Sequence, residues 1–355
     1  MTRLFTTLLA FAILGPLHAA DPANSPLDRA RSMARGGDFA GAIELLKGEA
    51  KKGSAEAANA LGELNLGGQG VKASATEAAR WFQQAADASY PPGMLNLGTL
   101  LKKGAEGVPP DHDNASFLIR AAAEEGYAPA QVACGRLAEA GGEDKGDMAG
   151  ARSWYEKAAA QENPEGLLAL AKFYDNGIAG PRDPVKGFDA CRRAAIAGSL
   201  LAVNEIGVRY QKGQGVEADA INAIGWFTVA AQRGLPASQV NLGNCYEVGK
   251  GVLQDLNQAG AHYAAAAKQN FGPAQYLLAQ IFEQGKGVKA NPVYAYINYV
   301  RAAANGVEAA AKKVGELKAT LTAEQWKEAA KLMAEAATPE GSAEKPPEKP
   351  VAPKK

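Results

Sequence analysis

A tandem repeat of 36 residues constrains the fold of this chain more than any other feature. A Leu-Gly pair or its equivalent marks the same point of seven units: Leu61-Gly62, Leu97-Gly98, Cys134-Gly135, Leu170-Ala171, Ile206-Gly207, Leu242-Gly243 and Leu278-Ala279. Successive pairs are 36 residues apart, with one spacing of 37. Self-similarity at such a period is typical of repeat proteins, in which each unit buries its apolar face against its neighbours.

Each unit is predicted to contain two helices. The first carries apolar residues at helical spacing, as in Val240, Leu242 and Tyr246, and the second carries an aromatic pair followed by two alanines. Helix N-caps are predicted before the second helix at Ser74, Asp111, Asp219, Asp255 and Asn291. The glycine of the Leu-Gly pair costs helix stability, so we expect it to allow close approach of the second helix.

The turn between the two helices is "GQGV" at Gly68 and Gly213 and "GKGV" at Gly249 and Gly285. Although a Gly-Lys-Gly sequence is compatible with a phosphate-binding loop, glutamine replaces the lysine in two units. The following Lys-Ser or Lys-Thr of a P-loop is also missing. We therefore expect a structural turn whose glycines adopt backbone angles that other residues resist.

The unit "SQVNLGNCYEVGKGVLQDLNQAGAHYAAAAKQN" resembles the Sel-one-like repeat (SLR), a relative of the tetratricopeptide repeat. Two units depart in the turn, "KKGAEGV" at Lys102 and "AGGEDKGD" at Ala140. The resemblance implies an all-α, right-handed α-solenoid of tandem helix-turn-helix repeats that holds other proteins. The residues themselves carry no hydrolase or metalloprotease motif, so the protein is predicted not to be an enzyme.

The sequence predicts five segments. Residues 1–20 have the charge, apolar run and small-residue end of a signal peptide, too short to span a bilayer as a stable anchor. Residues 21–56 form an N-terminal capping helix pair, 57–307 the seven repeats, 308–337 C-terminal capping helices and 338–355 a disordered Pro- and Lys-rich tail. The expected location is the periplasm or the extracellular space.

In the C-terminal cap, Thr322 and Gln325 fit a capping box. Leu321 can then pack on Trp326 as a hydrophobic staple. From Trp326 onward, Ala330, Met333 and Ala337 are predicted to form the packed face of the last helix.

Charge and side-chain chemistry exclude several functions. The 38 basic and 38 acidic residues balance, so no nucleic-acid binding is predicted. His112 and His262 have no Cys or carboxylate companion at metal-ligand spacing, and no catalytic, cofactor or metal site is predicted. Three cysteines, Cys134, Cys191 and Cys245, are expected to be buried and mostly unpaired, since each takes a position that is apolar or aromatic in other units.

The predicted function is therefore an exported, monomeric scaffold that binds a protein or peptide in its groove. The alternative is a cell-envelope protein that binds peptidoglycan or polysaccharide, and a β-lactam or cell-wall-related hydrolase is a more remote one. Sugar sites usually expose aromatic platforms, whereas Trp81, Trp154 and Trp226 are expected to lie in the core.

The binding surface is predicted to be the face of each first helix that is not used for packing within the repeat. The residues on or beside this face, the A-face set, are Asn59, Glu63, Thr99, Lys102, Arg136, Lys172, Asn204, Asn241, Asn244 and Gln280. In tetratricopeptide-like arrays the corresponding face lines the concave groove, which the resemblance implies here. Arg136 and Lys172 are predicted to receive an acidic side chain or C-terminal carboxylate, and the amides an extended peptide backbone.

Overall fold

The structure, a computed structural model, describes residues 25–141 and 146–337. The predicted signal peptide and disordered tail lie outside the described residues. Within them the chain is all-α, with a single β-bridge between Ala105 and Val108. The helices are α1 (Pro26–Arg35), α2 (Phe39–Lys51), α3 (Ala55–Gly67), α4 (Ala75–Asp87), α5 (Pro91–Lys103), α6 (His112–Glu124), α7 (Ala128–Ala140), α8 (Met148–Ala160), α9 (Pro164–Asn176), α10 (Pro184–Ile196), α11 (Leu200–Lys212), α12 (Ala220–Gln232), α13 (Pro236–Val248), α14 (Leu256–Lys268), α15 (Gly272–Gln284), α16 (Pro292–Ala304), α17 (Glu308–Lys318) and α18 (Ala323–Ala337).

These helices form two compact units, the first ending at Ser199 and the second beginning at Leu200. Unit 1 contains α1 to α10 and unit 2 contains α11 to α18. From α3 to α16 the helices pack in pairs, and we call the first helix of each pair A and the second B. Stacked helix pairs of this kind are the α-solenoid fold that the sequence predicts.

The B helices begin where the sequence places their N-caps. Ser74, Asp111, Asp219, Asp255 and Asn291 each accept a hydrogen bond from a main-chain N–H of the first turn. Asp147 and Asp183 cap α8 and α10 in the same way. Each such cap stabilises its helix by about 1 kcal/mol.

The turn glycines adopt left-handed backbone angles, as predicted. In the "GKGV" turn of Gly249, φ is 71° at Gly249 and 80° at Gly251, and both equivalents in the other "GKGV" and "GQGV" turns are also positive. Lys250 donates to the main-chain oxygen of Gln211, 3.3 Å away, in the preceding repeat. This segment is a repeat turn whose lysine contacts a neighbouring helix end.

The glycine of the Leu-Gly pair allows the B helix to approach closely. A β-carbon at Gly135 or Gly243 would overlap the ring of Tyr155 or Tyr263 on the partner helix. Both rings are at most 1% exposed, so they have no room to move away. The glycine that weakens the A helix is thus the residue that lets an aromatic ring fill the core.

Cys134, Cys191 and Cys245 are buried and form no disulfide, as the sequence predicts. Burial raises the pKa of the Cys134 thiol to about 11. The expectation that the tryptophans lie in the core needs correction, because Trp81, Trp154 and Trp226 are only half-buried. The second aromatic residue of each pair, such as Phe82 at 1% exposure, takes the core position, since it faces the glycine of the A helix.

The two C-terminal helices pack on α16, and the predicted capping box forms at the start of α18. Thr322 N donates to Gln325 Oε1 at 2.9 Å, and Gln325 N donates to Thr322 Oγ1 at 3.3 Å. Leu321 and Trp326 share one apolar cluster.

The predicted packed face of α18 is wrong beyond Trp326. Ala329 and Leu332 pack with Leu321 and Trp326, while Ala330 and Met333 are exposed. An i, i+3, i+6 stripe places the branched Leu332 on the array and leaves the flexible Met333 in solvent.

Candidate functional site

The A helices of successive repeats approach each other within each unit. In unit 1, α3 contacts α5, α5 contacts α7 and α7 contacts α9, and in unit 2 α13 contacts α15. The B helices mainly contact the A helices before and after them. The A-face set therefore lies where neighbouring repeats converge, and several of its side chains meet across repeats.

In unit 1, an amide bridge joins the first two repeats. Asn96 Nδ2 on α5 donates to Asn59 Oδ1 on α3 at 2.9 Å. Both amides also donate to Glu63 Oε1, Asn59 from 3.0 Å and Asn96 from 3.2 Å. Two predicted site residues, Asn59 and Glu63, thus meet around Asn96, which sequence reasoning missed.

The same amide bridge occurs in unit 2. Asn241 Nδ2 on α13 donates to Asn204 Oδ1 on α11 at 2.9 Å, and the buried Ser238 hydroxyl donates to the same oxygen at 2.8 Å. Asn204 and Asn241 each lie 145 residues after their counterparts in unit 1. The two units therefore present one polar framework at equivalent positions.

Arg136 and Lys172 are exposed, but each already has a carboxylate partner. Arg136 Nη2 on α7 lies 2.8 Å from Glu165 Oε2 on α9, and Lys172 Nζ on α9 lies 3.5 Å from Glu139 Oε2 on α7. The predicted basic pair is therefore half of a four-charge network with no net charge. The acids come from the neighbouring helix, 29 and 33 residues away in sequence.

The remaining residues of the A-face set do not join either amide bridge or the Arg136 and Lys172 ion pairs. Thr99 and Lys102 are exposed on α5, and Gln280 is half-buried on α15. Asn244 Oδ1 accepts a hydrogen bond from the Tyr263 hydroxyl at 2.6 Å, so this amide also supports the packing of its own repeat. The A face is thus a mixture of open side chains and side chains that already bond within the array.

Sequence reasoning also missed a recurring tyrosine–glutamate–lysine set. A B-helix tyrosine hydroxyl donates to a glutamate near the end of its A helix, and a lysine further along the chain pairs with the same carboxylate. The three sets are Tyr155, Glu139 and Lys172; Tyr263, Glu247 and Lys286; and Tyr299, Glu283 and Lys313. Where the B helix has Phe82 or Phe227 instead, the glutamate position holds Leu66 or Gln211. This internal covariation is the signal that could have identified them.

The carboxylates of these sets and Glu63 differ electrostatically. Burial raises the pKa of Glu247, but hydrogen bonds from Lys286 and Tyr263 and the lysine charge outweigh it, so the pKa lies below its ordinary value. At Glu63, burial dominates over the bonds from Asn59 and Asn96 and raises the pKa to about 7. When Glu63 is ionised, the hydrogen bonds from Asn59 and Asn96 therefore do not offset the cost of burying its charge.

Metal ligands and histidines are the other side chains of interest in the described part of the chain. No group of three or more His, Cys, Asp or Glu side chains there is arranged to hold a metal ion. His262 stacks on Tyr246 with ring centroids 5.5 Å apart, and burial lowers the pKa of its imidazole. None of the described helices combines the length and apolar character that crossing a membrane requires.

The sequence model of the Sel1 repeat matches seven consecutive segments: residues 55–90, 91–127, 128–163, 164–199, 200–235, 236–271 and 272–307. The chain belongs to the Sel1 repeat family. The matched segments begin and end with the A and B helices described above, and the boundary between the two units falls between the fourth and fifth Sel1 repeats. The predicted resemblance to Sel-one-like repeats is confirmed.

Two solved structures are similar to this Sel1 repeat protein. One is c5321, a protective antigen present in uropathogenic Escherichia coli strains with an SLR fold, at 29% identity, a TM-score of 0.66, and coverage of 87% of this chain and 68% of that chain. The other is a Sel1 repeat protein from Oxalobacter formigenes, at 28% identity, a TM-score of 0.63, and coverage of 86% and 99%.

A curated relative is chitin synthase regulatory factor 3 of Schizosaccharomyces pombe, 32% identical over 91 residues. The match covers 25% of this chain and 10% of that protein, so this chain spans a small part of its length.

Proposed function

We propose that this Sel1 repeat chain is an exported, non-enzymatic scaffold that binds a protein or peptide along the A face. The observation that carries the proposal is the amide bridge found twice, at Asn59–Asn96 and Asn204–Asn241. Asn59 is itself buried, so the half-buried Asn96 and Asn241, whose amides have both a donor and an acceptor, are the bridge residues proposed to meet an extended main chain. The Sel1 repeat fold, typical of protein–protein interaction, supports a scaffold.

Export is supported by the first 20 residues, whose order of charge, apolar run and small residues is that of a signal peptide. Cleavage is expected near Ala20 or Asp21. N-terminal sequencing of the protein recovered from the envelope fraction checks this, and a mature chain that still begins at Met1 would contradict it.

The alternative of a sugar-binding protein has less support from the aromatic residues. Lys157 Nζ lies 3.9 Å from the centroid of the Trp154 ring, so a cation covers the best candidate platform. Trp81 packs against an apolar cluster instead of standing free. Retention of the chain on purified peptidoglycan in the absence of protein would favour this alternative.

The partner proposal is tested by reversing the A-face charges. Arg136→Glu with Lys172→Glu removes the two cations proposed to bond an acidic group of the partner, so the free energy of partner binding should weaken by about 2 kcal/mol. The same change also places like charges opposite Glu165 and Glu139. A fourfold exchange that also changes Glu165 and Glu139 to Lys restores both ion pairs with opposite polarity. A partner that recognises the positions of the charges should bind weakly to both variants. A partner that needs only an intact fold should bind the fourfold variant with its original affinity.

The matched control reverses two charges on a B helix of the same unit, Lys186→Glu with Arg192→Glu on α10. Partners are captured from an envelope extract with each variant and identified by mass spectrometry, and their affinities are measured with purified protein. Unchanged affinity in both A-face variants would contradict the proposed groove.

A further inference from the structure

The turns between the A and B helices of unit 2 follow one another along one edge of that unit. They comprise residues 213–219, 249–255 and 285–291, and together they are called the turn edge. Lys250 donates to the main-chain oxygen of Gln211 at the end of α11, 3.3 Å away, and Lys286 donates to Glu247 at the end of α13 at 2.7 Å. The second and third turns therefore each contact the A-helix end of the repeat before them.

Three large apolar side chains are exposed at the turn edge. Val248 directly precedes the second turn and is 68% exposed, and Leu253 lies within that turn and is 91% exposed. Ile221, near the start of α12, is 75% exposed. A β-carbon at Gly251 would lie 2.7 Å from the oxygen of Ala220, so the second turn rests against the start of α12, where Ile221 lies. The three side chains therefore belong to one region of the surface.

Packing of the turn does not require these apolar residues. In the other "GQGV" and "GKGV" turns the position of Leu253 is taken by Lys72, Glu217 and Lys289. The position of Val248 is taken in the same repeats by Gly67, Lys212 and Gln284. These turns keep the same left-handed glycines, so they form without an apolar residue at either position. Exposed apolar side chains that the fold does not need indicate a contact outside the chain.

Lysines predominate among the exposed charges of the turn edge. Lys286 pairs with Glu247, and the carboxylates of Asp219 and Asp255 accept main-chain hydrogen bonds as the N-caps of α12 and α14. Three further lysines are exposed at or beside the turns and pair with no carboxylate in the part of the chain that the structure describes: Lys212, Lys250 and Lys289. The exposed Glu217 offsets only part of this charge, so the outward-facing surface is positive.

We propose that the turn edge of unit 2 binds the surface of a membrane that contains anionic lipids. Leu253, Val248 and Ile221 enter the boundary between headgroups and acyl chains and leave water, which is favourable for apolar side chains. The unpaired lysines lie at the level of the lipid phosphates, and each adds attraction to a negatively charged surface.

A lipid surface fits the turn edge better than a folded protein partner. Leu253 projects from a turn and is almost fully exposed, so a protein would need a matching cavity, whereas the acyl-chain boundary accepts a projecting side chain directly. Lysine is also depleted in protein–protein interfaces, but an anionic membrane attracts it. A protein partner at this edge is therefore the alternative outcome of the tests.

The first test measures binding to vesicles. The protein purified from the envelope fraction is sedimented with vesicles of phosphatidylcholine and phosphatidylglycerol in equal amounts, or of phosphatidylcholine alone. Binding to the anionic vesicles should be saturable and about tenfold or more tighter than binding to the neutral ones, since each unpaired lysine contributes about fivefold. Lack of binding to the anionic vesicles overturns the proposal.

The second test removes the apolar side chains. Val248→Ser with Leu253→Ser should weaken binding to the anionic vesicles by about tenfold or more. The matched control is Val229→Ser, an exposed valine on α12 that lies about 12 Å further along the helix than Ile221, and it should bind as the unmodified chain does. Should the double variant fail to fold, Leu253→Glu replaces it, because Glu217 occupies the same position in an intact turn. Undiminished binding of a folded variant rejects apolar insertion.

The third test removes the charges. Lys250→Gln with Lys289→Gln should weaken binding to the anionic vesicles by about tenfold or more and leave binding to the neutral vesicles unchanged. Arg233→Gln, at the far end of α12, is the matched control and should have little effect. Equal losses in the lysine and arginine variants would contradict a role for the turn edge.

The fourth test locates the contact. Because Cys134, Cys191 and Cys245 are buried, a cysteine introduced by Leu253→Cys can be labelled selectively with an environment-sensitive fluorophore. Its emission should shift to the blue on addition of anionic vesicles, whereas the same label on Gln232→Cys, at the C-terminal end of α12, should not respond. Binding without a response at Leu253→Cys would place the membrane contact elsewhere on the chain and overturn the site.

A protein partner gives a different pattern. If neither kind of vesicle is bound, but Val248→Ser with Leu253→Ser loses a protein captured from the envelope extract, the turn edge is a protein interface and the lipid proposal is wrong. The A-face proposal does not depend on either result, because none of these substitutions changes a residue of the A-face set.

Discussion

Units 1 and 2 share one framework and line it with different side chains. In both, an asparagine two residues before the Leu-Gly position or its equivalent meets an asparagine of the next repeat, at Asn59–Asn96 and Asn204–Asn241. Beside the bridge, unit 1 has Glu63 where unit 2 has Val208.

The difference separates two kinds of position on the A helix. The Leu-Gly glycine faces a buried ring, Phe82 for Gly62 and Phe227 for Gly207, and leaves no room for a side chain. The residue after it faces the A side and changes from acidic to apolar between units without changing the helix. Glu63 and Val208 are both half-buried, so this position accepts a carboxylate or an apolar side chain, whereas the glycine position accepts no side chain.

The largest expected effect tests whether the framework is equal in the two units. Gly62→Ala and Gly207→Ala each place a methyl group against a fully buried phenylalanine ring, so each should lower the free energy of unfolding by about 3 kcal/mol, the upper end for overpacking. Urea denaturation gives the total loss, and hydrogen exchange shows the unit in which it occurs.

Gly225 supplies the control for this pair. It lies inside α12, where a β-carbon would have no atom within 4 Å. Gly225→Ala should therefore stabilise by up to about 1 kcal/mol through helix propensity. If Gly62→Ala and Gly207→Ala differ greatly, or if both behave like Gly225→Ala, the shared framework is wrong.

The second prediction exploits the position at which the units differ. The pKa of Glu63 is raised from 4.5 to about 7, so the folded state holds a proton that the unfolded chain releases in this range. Stability of unit 1 should then be greatest below pH 4.5, decrease as the pH rises to about 7, and level off above it. Allowing for partial exposure, the loss is about 2 kcal/mol.

Glu63→Val should remove this pH dependence, and Val208→Glu should introduce a similar one in unit 2. Urea denaturation from pH 4 to pH 8 measures both, with hydrogen exchange to assign the unit. Stability that rises with pH over this range in the unmodified chain, after correction with Glu63→Val, would contradict the burial of Glu63.

The periodic features of this fold could be predicted from sequence because they depend on local chemistry. The N-cap at Asp255 and the Thr322–Gln325 capping box each involve residues within one helix or turn, and the 36-residue spacing recurs directly in the sequence; all were correct. The close approach at Gly243 was also predictable, since a glycine in a helix interior needs a packing reason.

The charge environment of the A face could not be predicted in the same way. Arg136 pairs with Glu165 and Lys172 with Glu139, residues of the neighbouring repeat whose side chains meet only after the helices are stacked. Periodicity tells which face a residue occupies, but not how long side chains reach between helices. The packed face of α18 was placed at Met333, one position from Leu332, because the side of this helix that meets α16 depends on how the two helices pack.

The smallest expected effect compares the tyrosine–glutamate–lysine sets of the two units. Lys286 Nζ lies 2.7 Å from Glu247 and its side chain is 42% exposed, whereas Lys172 Nζ lies 3.5 Å from Glu139 and is 60% exposed. Exposed ion pairs contribute little, so Lys286→Met should cost about 1 kcal/mol and Lys172→Met about 0.3 kcal/mol.

Acid should abolish the larger of these two costs. Because the pKa of Glu247 lies below its ordinary value of 4.5, its stabilisation is present above pH 4.5 and is lost as the pH falls through the lower, folded-state pKa. Urea denaturation of each lysine variant at pH 7 and pH 3 measures the difference, with Lys312→Met as the control because that lysine is 84% exposed and 4.0 Å from Glu316. Equal losses in Lys286→Met and Lys312→Met would show that the set in unit 2 is an ordinary surface contact. A Lys286→Met cost that persists as the pH falls through the folded-state pKa of Glu247 would instead assign its effect to packing of the lysine stem.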